Sequence, residues 1–512
     1  MERMQDSAPL VVTIGDGPLS LEQVHAVAHG EAGVALALEV GERLRVARGV
    51  VERSLERGDA IYGLTTGLGA AVDTRLAADQ IAAFQQRAVR ARAVGVGPCL
   101  TQAEVRAMLL VRLAGLAQGA SGISPVFAET IAAMLNARLH PVVRRIGSLG
   151  EADLSPLAQV FLPLVGEGEA EFGGRVLPGA DAMRAAGIAM PEFGPKDGLA
   201  LLNANAESVG LAALALHEVK LALGALTVAG ALSLEAYRAN LSPIAADLVA
   251  LRPVPSQVAG SVKLRALLAG SDLFEAGAAR RVQDPLSFRC LAPVNGAALA
   301  AFELARELVE IELNGAGDSP AVLAGDDTLR STVNFDTTAL ALAFEGLGLA
   351  AAHAAAISAF RVVKLMSPAS SDLPRFLTRH GGSHAGFATT QKTASVLEAE
   401  IRHLALPLGP MTMPVADGVE DYAPMTPRVV EKTTEIARRL LRLAAIELVV
   451  AAEAVDLREG IRLGAGTGLA HAFIRRHVAP LDDDRPMGRE YEALAERLAA
   501  GELATALEEL PA

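Results

Sequence analysis

The sequence predicts a mainly α-helical protein: a bundle of long helices with a small mixed, glycine-rich N-terminal part. Three observations carry this. Apolar residues make up 51% of the 512 positions while aromatic ones make up only 4%. The apolar content is therefore mostly Ala, Leu and Val, and Ala and Leu are strong helix formers. Helical periodicity dominates in long runs at 199–239, 294–314, 336–366, 388–405 and 427–457, the pattern of a bundle of long helices. Gly and Pro are densest between 148 and 198.

Taken in order, residues 10–14 (LVVTI) predict a short strand, turned by Gly15-Asp16-Gly17. Ser20 and Gln23 have the spacing of a capping box that opens a helix. The segment 61–73, IYGLTTGLGAAVD, interrupts the early helices as a glycine-rich loop. Residues 102–138 predict helix, broken at Gly119–Gly122, and 148–198 predict loops with a small hairpin. The expected organisation is an N-terminal mixed part over 1–198, holding the catalytic loop, and a helix bundle over 199–512. No internal repeat is visible, and one interlocked helical body is expected.

Composition excludes several function classes. The net charge is −13, from 46 basic and 59 acidic residues, with no Lys/Arg-rich run, so no nucleic-acid surface is expected. Cys99 and Cys290 are too few for a disulfide framework or a cysteine zinc site, which points to the reducing cytoplasm. The start, MERMQDSAPLVVTIGDG, shows no apolar run preceded by positive charge. Apolar stretches such as GLALLNANAESVGLAALAL are interrupted by Asn, Glu and Gly before the ~20 residues a bilayer requires, so no membrane partner is expected.

Four separated segments carry a resemblance. They are Tyr62-Gly63-Leu64-Thr65-Thr66-Gly67-Leu68-Gly69; Gly198-Leu199-Ala200-Leu201-Leu202-Asn203; Gln283-Asp284-Pro285-Leu286-Ser287-Phe288-Arg289-Cys290; and Gln391 through Met425, containing Val419-Glu420-Asp421. In that order they resemble the YGxNTGFG, GLALLNG, QDxYSxRC and QED motifs of the aromatic amino acid ammonia-lyases, the histidine lyases most closely. The similarity runs from about residue 10 to past 460. It implies a bundle of the ammonia-lyase/fumarase-like type, and a homotetramer whose active sites draw residues from neighbouring subunits. His380 and His384, in RHGGSHAGF, have the spacing of a metal pair. The matching family loop holds no metal, so none is expected here.

One segment departs from the family. Gly147-Ser148-Leu149-Gly150-Glu151-Ala152-Asp153-Leu154-Ser155-Pro156-Leu157-Ala158 resembles GSxGASGDLxPLA, whose Ala-Ser-Gly cyclises in the family to methylidene-imidazolone, the electrophile that captures the substrate. Glu151-Ala152 replaces that tripeptide, one residue shorter and with no serine to dehydrate. The expected cofactor is therefore none. An Ala120-Ser121-Gly122 tripeptide lies about thirty residues earlier, in a stretch that reads as a small-residue helix break permitting close packing. Leu286 replaces a family tyrosine beside the cofactor, and Arg92 stands near a histidine of the histidine lyases.

Loss of the electrophile, with so many family features kept, implies a changed substrate. Ammonia is a poor leaving group without activation, whereas a quaternary ammonium departs as neutral trimethylamine. Substrates of that kind are α-trimethylammonio acids such as hercynine and its 2-thio derivative, ergothioneine. Glu420 matches the family glutamate near an imidazole ring. Lys392, beside Gln391, replaces an apolar residue and is suited to hydrogen-bond a thione and stabilise ring charge. These features resemble ergothionase, the cofactor-free branch of the family, and imply elimination of trimethylamine to give thiolurocanate. The resemblance assigns Tyr62 as general base, which requires poising because a free phenol ionises near pH ~10. Arg289 clamps the carboxylate with Asn203 assisting. Lys392 and Glu420 hold the ring, Gln391 and Phe335 belong to the substrate-binding set, and Glu151 faces the trimethylammonium. Two alternatives stay open: elimination from another betaine-type substrate, or an inactive homologue that only binds.

Overall fold

The computed structural model describes residues 10–508. The chain is mainly helical. Its longest helices are Ala206–Tyr237, Leu291–Asn314, Thr338–Leu365 and Thr426–Asp456, joined by Thr390–Leu404. They cover the runs expected from periodicity to within a few residues, except that 199–239 divides into Asp197–Leu202 and Ala206–Tyr237.

The N-terminal part is mixed. Strand Leu10–Ile14 pairs in parallel with Ala32–Leu36, and the intervening helix Leu21–Ala28 opens on the expected box. Ser20 Oγ accepts from the Gln23 amide at 3.2 Å, and Gln23 Oε1 accepts from the Ser20 amide at 3.0 Å. A second box, Thr101 with Glu104, opens Gln102–Ala117. The small hairpin is Glu169–Phe172 against Arg175–Pro178. Its turn, Gly173-Gly174, has φ of 57° and 75°, a conformation open to glycine at both positions.

The chain divides into two compact units. The first holds the described residues up to Leu214 with Arg306–Leu342 and Leu408–Glu431; the second holds Ala215–Ala305, Ala343–Pro407 and the described residues from Lys432 onward. These do not coincide with a division after residue 198 or with one undivided body. The reason is helix length: at ~1.5 Å per residue, a helix of about thirty residues outruns a single compact core.

Within the first unit, Ala47, Val50 and Val51 of helix Leu38–Arg57 pack with Ile61, Leu64 and Val322. Arg112 is buried against Asp318 at 2.7 Å, and Asp197 against Arg48 at 3.2 Å. In the second unit, buried Arg361 and Glu447 form two hydrogen bonds of 2.6 and 2.9 Å, and Ser233 and Ser358 donate to the same carboxylate. Such a pair is tolerable in the interior because its lone pairs are fully used.

Two stretches, Asp197–Tyr237 and Thr338–Leu365, are long and apolar enough to cross a membrane, which corrects the expectation that polar residues break them up too soon. Most of each apolar window is buried inside the protein, 67% and 56%. On Thr338–Leu365 the exception is one face, where Leu342, Leu349 and Phe360 stay exposed at 66%, 44% and 60%. Their spacing places all three on one stripe.

Candidate active site

The loop that carries Tyr62 is fixed from both sides. Ile61 and Leu64 sit in the hydrophobic core, so the residue between them is turned outward, half-buried. Thr65 Oγ1 donates to Asp59 O and accepts from the Ile61 amide, both at 2.8 Å. Gly63 has φ +67°, and a Cβ there would lie 2.6 Å from Leu199 Cδ2; both features demand glycine. Gln85, fully buried, spans the gap. Its Nε2 donates to Gly63 O and its Oε1 accepts from the Leu199 amide, each at 2.9 Å. The Tyr62 loop is thereby tied to the short helix that ends at Asn203. The Tyr62 hydroxyl accepts from the Gly69 amide at 2.8 Å.

The segment resembling the cofactor loop lies where helices begin. The Met425 amide donates to Leu149 O and Thr337 Oγ1 to Gly150 O, both at 2.8 Å. The Ala152 amide donates to Asn205 Oδ1 at 2.9 Å, and the Asp153 amide to Ala204 O at 2.8 Å. The first turns of Leu154–Phe161, Ala206–Tyr237, Thr338–Leu365 and Thr426–Asp456 thus converge on residues 149–153. Helix N-termini carry partial positive charge, and four carboxyls gather there: Glu151, Asp153, Glu207 and Asp336. Asp153 is fully buried and takes hydrogen bonds from Ser148 (2.5 Å) and from the Ser208 amide (2.7 Å).

Glu151 and Asp336 face each other across an isolated antiparallel bridge. Burial pushes the Glu151 carboxyl up to about 8, aided by its hydrogen bond to Asp336 and by the charges of Asp336, Asp153 and Glu420. Burial acts the same way on Asp336, but hydrogen bonds with Glu151 and Thr338 outweigh it and hold Asp336 below its ordinary value. The pair therefore shares one proton near neutral pH, carried on Glu151.

A cavity of about 720 Å³ opens over this floor, lined by Tyr62, Arg92, Glu151, Asn203, Phe335 and Glu420, together with Asp336, Asp421 and Tyr422. All belong to the first unit. Arg92 is the one basic residue in the lining. Burial lowers its affinity for a proton, while Tyr62 and Glu420 act in the opposite sense. Glu420 sits on an exposed turn closed by a bridge between Val415 and Glu420. Five of the expected site residues therefore share one cavity, Tyr62, Glu151, Asn203, Phe335 and Glu420, and Arg92, noted in the sequence only as a departure from the histidine lyases, joins them.

Arg289, Gln391 and Lys392 belong to the second unit and do not line this cavity. Lys392 is exposed in the first turn of Thr390–Leu404 and makes no ion pair among the described residues. Arg289 reaches only Gln283, at 3.4 Å, and its Nε is buried without a partner. Leu286 is exposed at 62%. Sequence reasoning missed Gln85, Asn205, Asp336, Thr338 and Tyr422. The one signal for them is adjacency, since Asn205, Asp336 and Tyr422 each fall within two residues of an expected site residue.

The residues present do not fit the family's methylidene-imidazolone. Between Gly150 and Asp153 stand only Glu151 and Ala152, and Glu151 is committed to Asp336. Ala120-Ser121-Gly122 serves packing instead. Ser121 is fully buried, with its carbonyl accepting from Lys196 Nζ at 2.5 Å, and a Cβ on Gly122 would meet Val51 at 2.5 Å. The His380 and His384 rings lie 4.4 Å apart, tilted by 36°, in an exposed loop, each beside an aspartate, Asp482 or Asp483.

Comparison with known proteins places this arrangement. Residues 19–476 match the aromatic amino acid lyase family. A histidine ammonia-lyase of Sorangium cellulosum is 39% identical over 503 residues, covering 96% of this chain and 98% of that protein. Among solved structures, ergothionase from Treponema denticola, in complex with desmethyl-ergothioneine sulfonic acid, aligns with a TM-score of 0.91 at 31% identity, over 96% of this chain and 99% of that one. Histidine ammonia-lyase from Trypanosoma cruzi aligns with a TM-score of 0.89 at 26% identity, over 98% of this chain and 95% of that one. These matches support a carbon–nitrogen lyase.

Proposed function

Because the chain belongs to the aromatic amino acid lyase family, we propose that it is a trimethylammonia-lyase acting on ergothioneine, without an electrophilic cofactor, in the cytoplasm. The observation that carries this reading is Glu151-Ala152 at the floor of the cavity, where the family's mechanism needs Ala-Ser-Gly. An elimination that lacks the electrophile needs a leaving group already activated, and a quaternary ammonium supplies one. The neighbouring ergothionase fold agrees with this chemistry, whereas the curated sequence relatives are named histidine ammonia-lyases.

Tyr62 removes the β-proton. The Cβ–H electron pair forms the Cα–Cβ double bond, and the C–N bond breaks to give neutral trimethylamine and thiolurocanate. Arg92 sits within electrostatic reach of both Tyr62 and Glu420, which places a positive charge beside the base and beside the glutamate that meets the ring. Phe335 walls the cavity. Arg289, Gln391 and Lys392 complete the site from a neighbouring subunit of a homotetramer. Two features support that assembly: Arg289 and Lys392 have no ion pair among the described residues, and the exposed stripe Leu342, Leu349 and Phe360 needs cover.

The direct test is spectroscopic. Ergothioneine incubated with the protein gives a conjugated product absorbing to the red of the substrate. Lys392→Met slows that reaction ~10²–10³-fold, the usual cost of removing one charge-stabilising donor from a dry site, and hardly affects hercynine, which lacks the sulfur. An unchanged spectrum with the wild type would leave only the reading of a binding protein or of another betaine.

A further inference from the structure

The floor of the cavity holds more than a replacement for a lost tripeptide. Both Asp336 oxygens are anchored by Thr338, through its amide at 3.1 Å and its hydroxyl at 2.8 Å, and the same hydroxyl meets Tyr422 at 2.8 Å. Asp336 is thereby fixed as the anionic member of the pair. Glu151 shares a proton with it, and apart from that contact the buried Glu151 Oε1 has no hydrogen-bond partner. A second observation, independent of the carboxyls, points to a ligand at the same place. Asn203 is only 8% exposed and lines the cavity. Its amide nitrogen donates one of its two N–H groups to Ser319 O, and its carbonyl oxygen has no protein partner among the described residues. A free acceptor oxygen beside the two carboxyls adds to the negative field of the cavity. It suits a cation.

We propose that Glu151, Asp336 and the carbonyl oxygen of Asn203 form a quaternary-ammonium subsite, in which the bound cation takes the place of the proton shared by the two carboxyls. The proposal rests on the betaine reading above and sharpens it. A trimethylammonium group has no N–H to donate, so recognition has to come from close negative charge and acceptor oxygens rather than from directed hydrogen bonds. On binding, the Glu151 O–H bond breaks and its proton passes to water, the two carboxylates face the cation together, and no covalent bond of the ligand is made or broken. The charged and titratable groups around Glu151 are Asp336, Asp153 and Glu420, with Glu312 beside Asp336 and Arg92, Tyr62 and Tyr422 across the cavity. Acids outnumber the one guanidinium, so charge balance favours an incoming cation.

Because the Glu151 carboxyl titrates at about 8, a site at pH 7 releases ~0.9 proton on binding and one at pH 9 releases ~0.1, provided the bound pair is fully ionised. The measurement is a pH-stat titration of the unbuffered protein with tetramethylammonium chloride, against sodium chloride at equal ionic strength. Saturable release at pH 7, fading by pH 9 and absent in Glu151→Gln and Asp336→Asn, is the expected result. No release above the sodium chloride control, or equal release in Glu151→Gln, overturns the proposal. Infrared difference spectroscopy of the free protein at pH 7 gives a second reading: the protonated carboxyl absorbance, to which Glu207 also contributes, loses one component in Glu151→Gln, and an unchanged band in that variant also overturns it. Ergothioneine turnover is scored separately. Proton release without turnover sinks the substrate assignment and leaves the cation subsite standing, whereas turnover without release does the reverse.

Discussion

Replacing Gln85 with Leu tests how the Tyr62 loop is held. The side chain is fully buried and makes two hydrogen bonds of 2.9 Å, one to each of two segments that carry site residues. Leucine keeps the bulk and removes both bonds, which strands the Gly63 carbonyl and the Leu199 amide in the interior. Each buried orphan costs about 1–3 kcal/mol, so the local loss is about 2–6 kcal/mol. Hydrogen exchange reads this directly: at the lower bound, amides in 61–69 and 197–203 lose roughly 30-fold of their protection. With Tyr62 as the proposed base, turnover falls with them through kcat more than KM. Gln85→Glu keeps the acceptor for Leu199 but loses the donor for Gly63, so its effect concentrates on the 61–69 side. Unchanged protection of 61–69 in Gln85→Leu would refute the claim that Gln85 holds the loop.

Other expectations follow from the same structure. Glu207 is buried with neither oxygen paired, and burial, then Asp153, raise it well above its ordinary value against the pull of Arg428 and Arg145. A raised folded-state value means the native protein holds a proton that the unfolded chain releases, so this group's contribution to stability is complete below the unfolded value and is lost as pH rises toward the folded one. Glu207→Gln should raise the melting temperature at neutral pH and flatten its decline between acid and neutral pH; a lower melting temperature at pH 7 contradicts this. The intact mass should equal that of the unmodified chain, and a loss of two waters would restore the electrophile. Light scattering should report a tetramer, whereas a monodisperse species near 52.9 kDa would leave Arg289 and Lys392 without a site to join.

Much of this architecture is written locally. The Ser20–Gln23 box and the long helical runs depend on residues a few positions apart, and the structure reproduces them. Strand Ala32–Leu36 escaped notice because AGVAL is too short and too small to show alternation; its pairing with Leu10–Ile14 makes it a strand. The cavity was half legible. Tyr62, Asn203 and Glu420 sit in motifs that can be recognised one segment at a time. Asp336 cannot be, because its meaning depends on Glu151 arriving from a distant part of the chain. Asn203 was legible in place but not in orientation, since nothing in GLALLN tells that its amide nitrogen is taken by Ser319. Arg289, Gln391 and Lys392 were identified through motifs alone, and the second unit by itself gives them no ligand.

The claim that leaving-group activation replaces the electrophile is tested most directly by measuring which amine leaves. Purified protein is incubated in parallel with ergothioneine, hercynine and histidine, and trimethylamine and ammonia are quantified. The account predicts trimethylamine from ergothioneine in step with the conjugated product, much less from hercynine, and no ammonia from histidine. Ammonia released from histidine by the wild-type protein would contradict it.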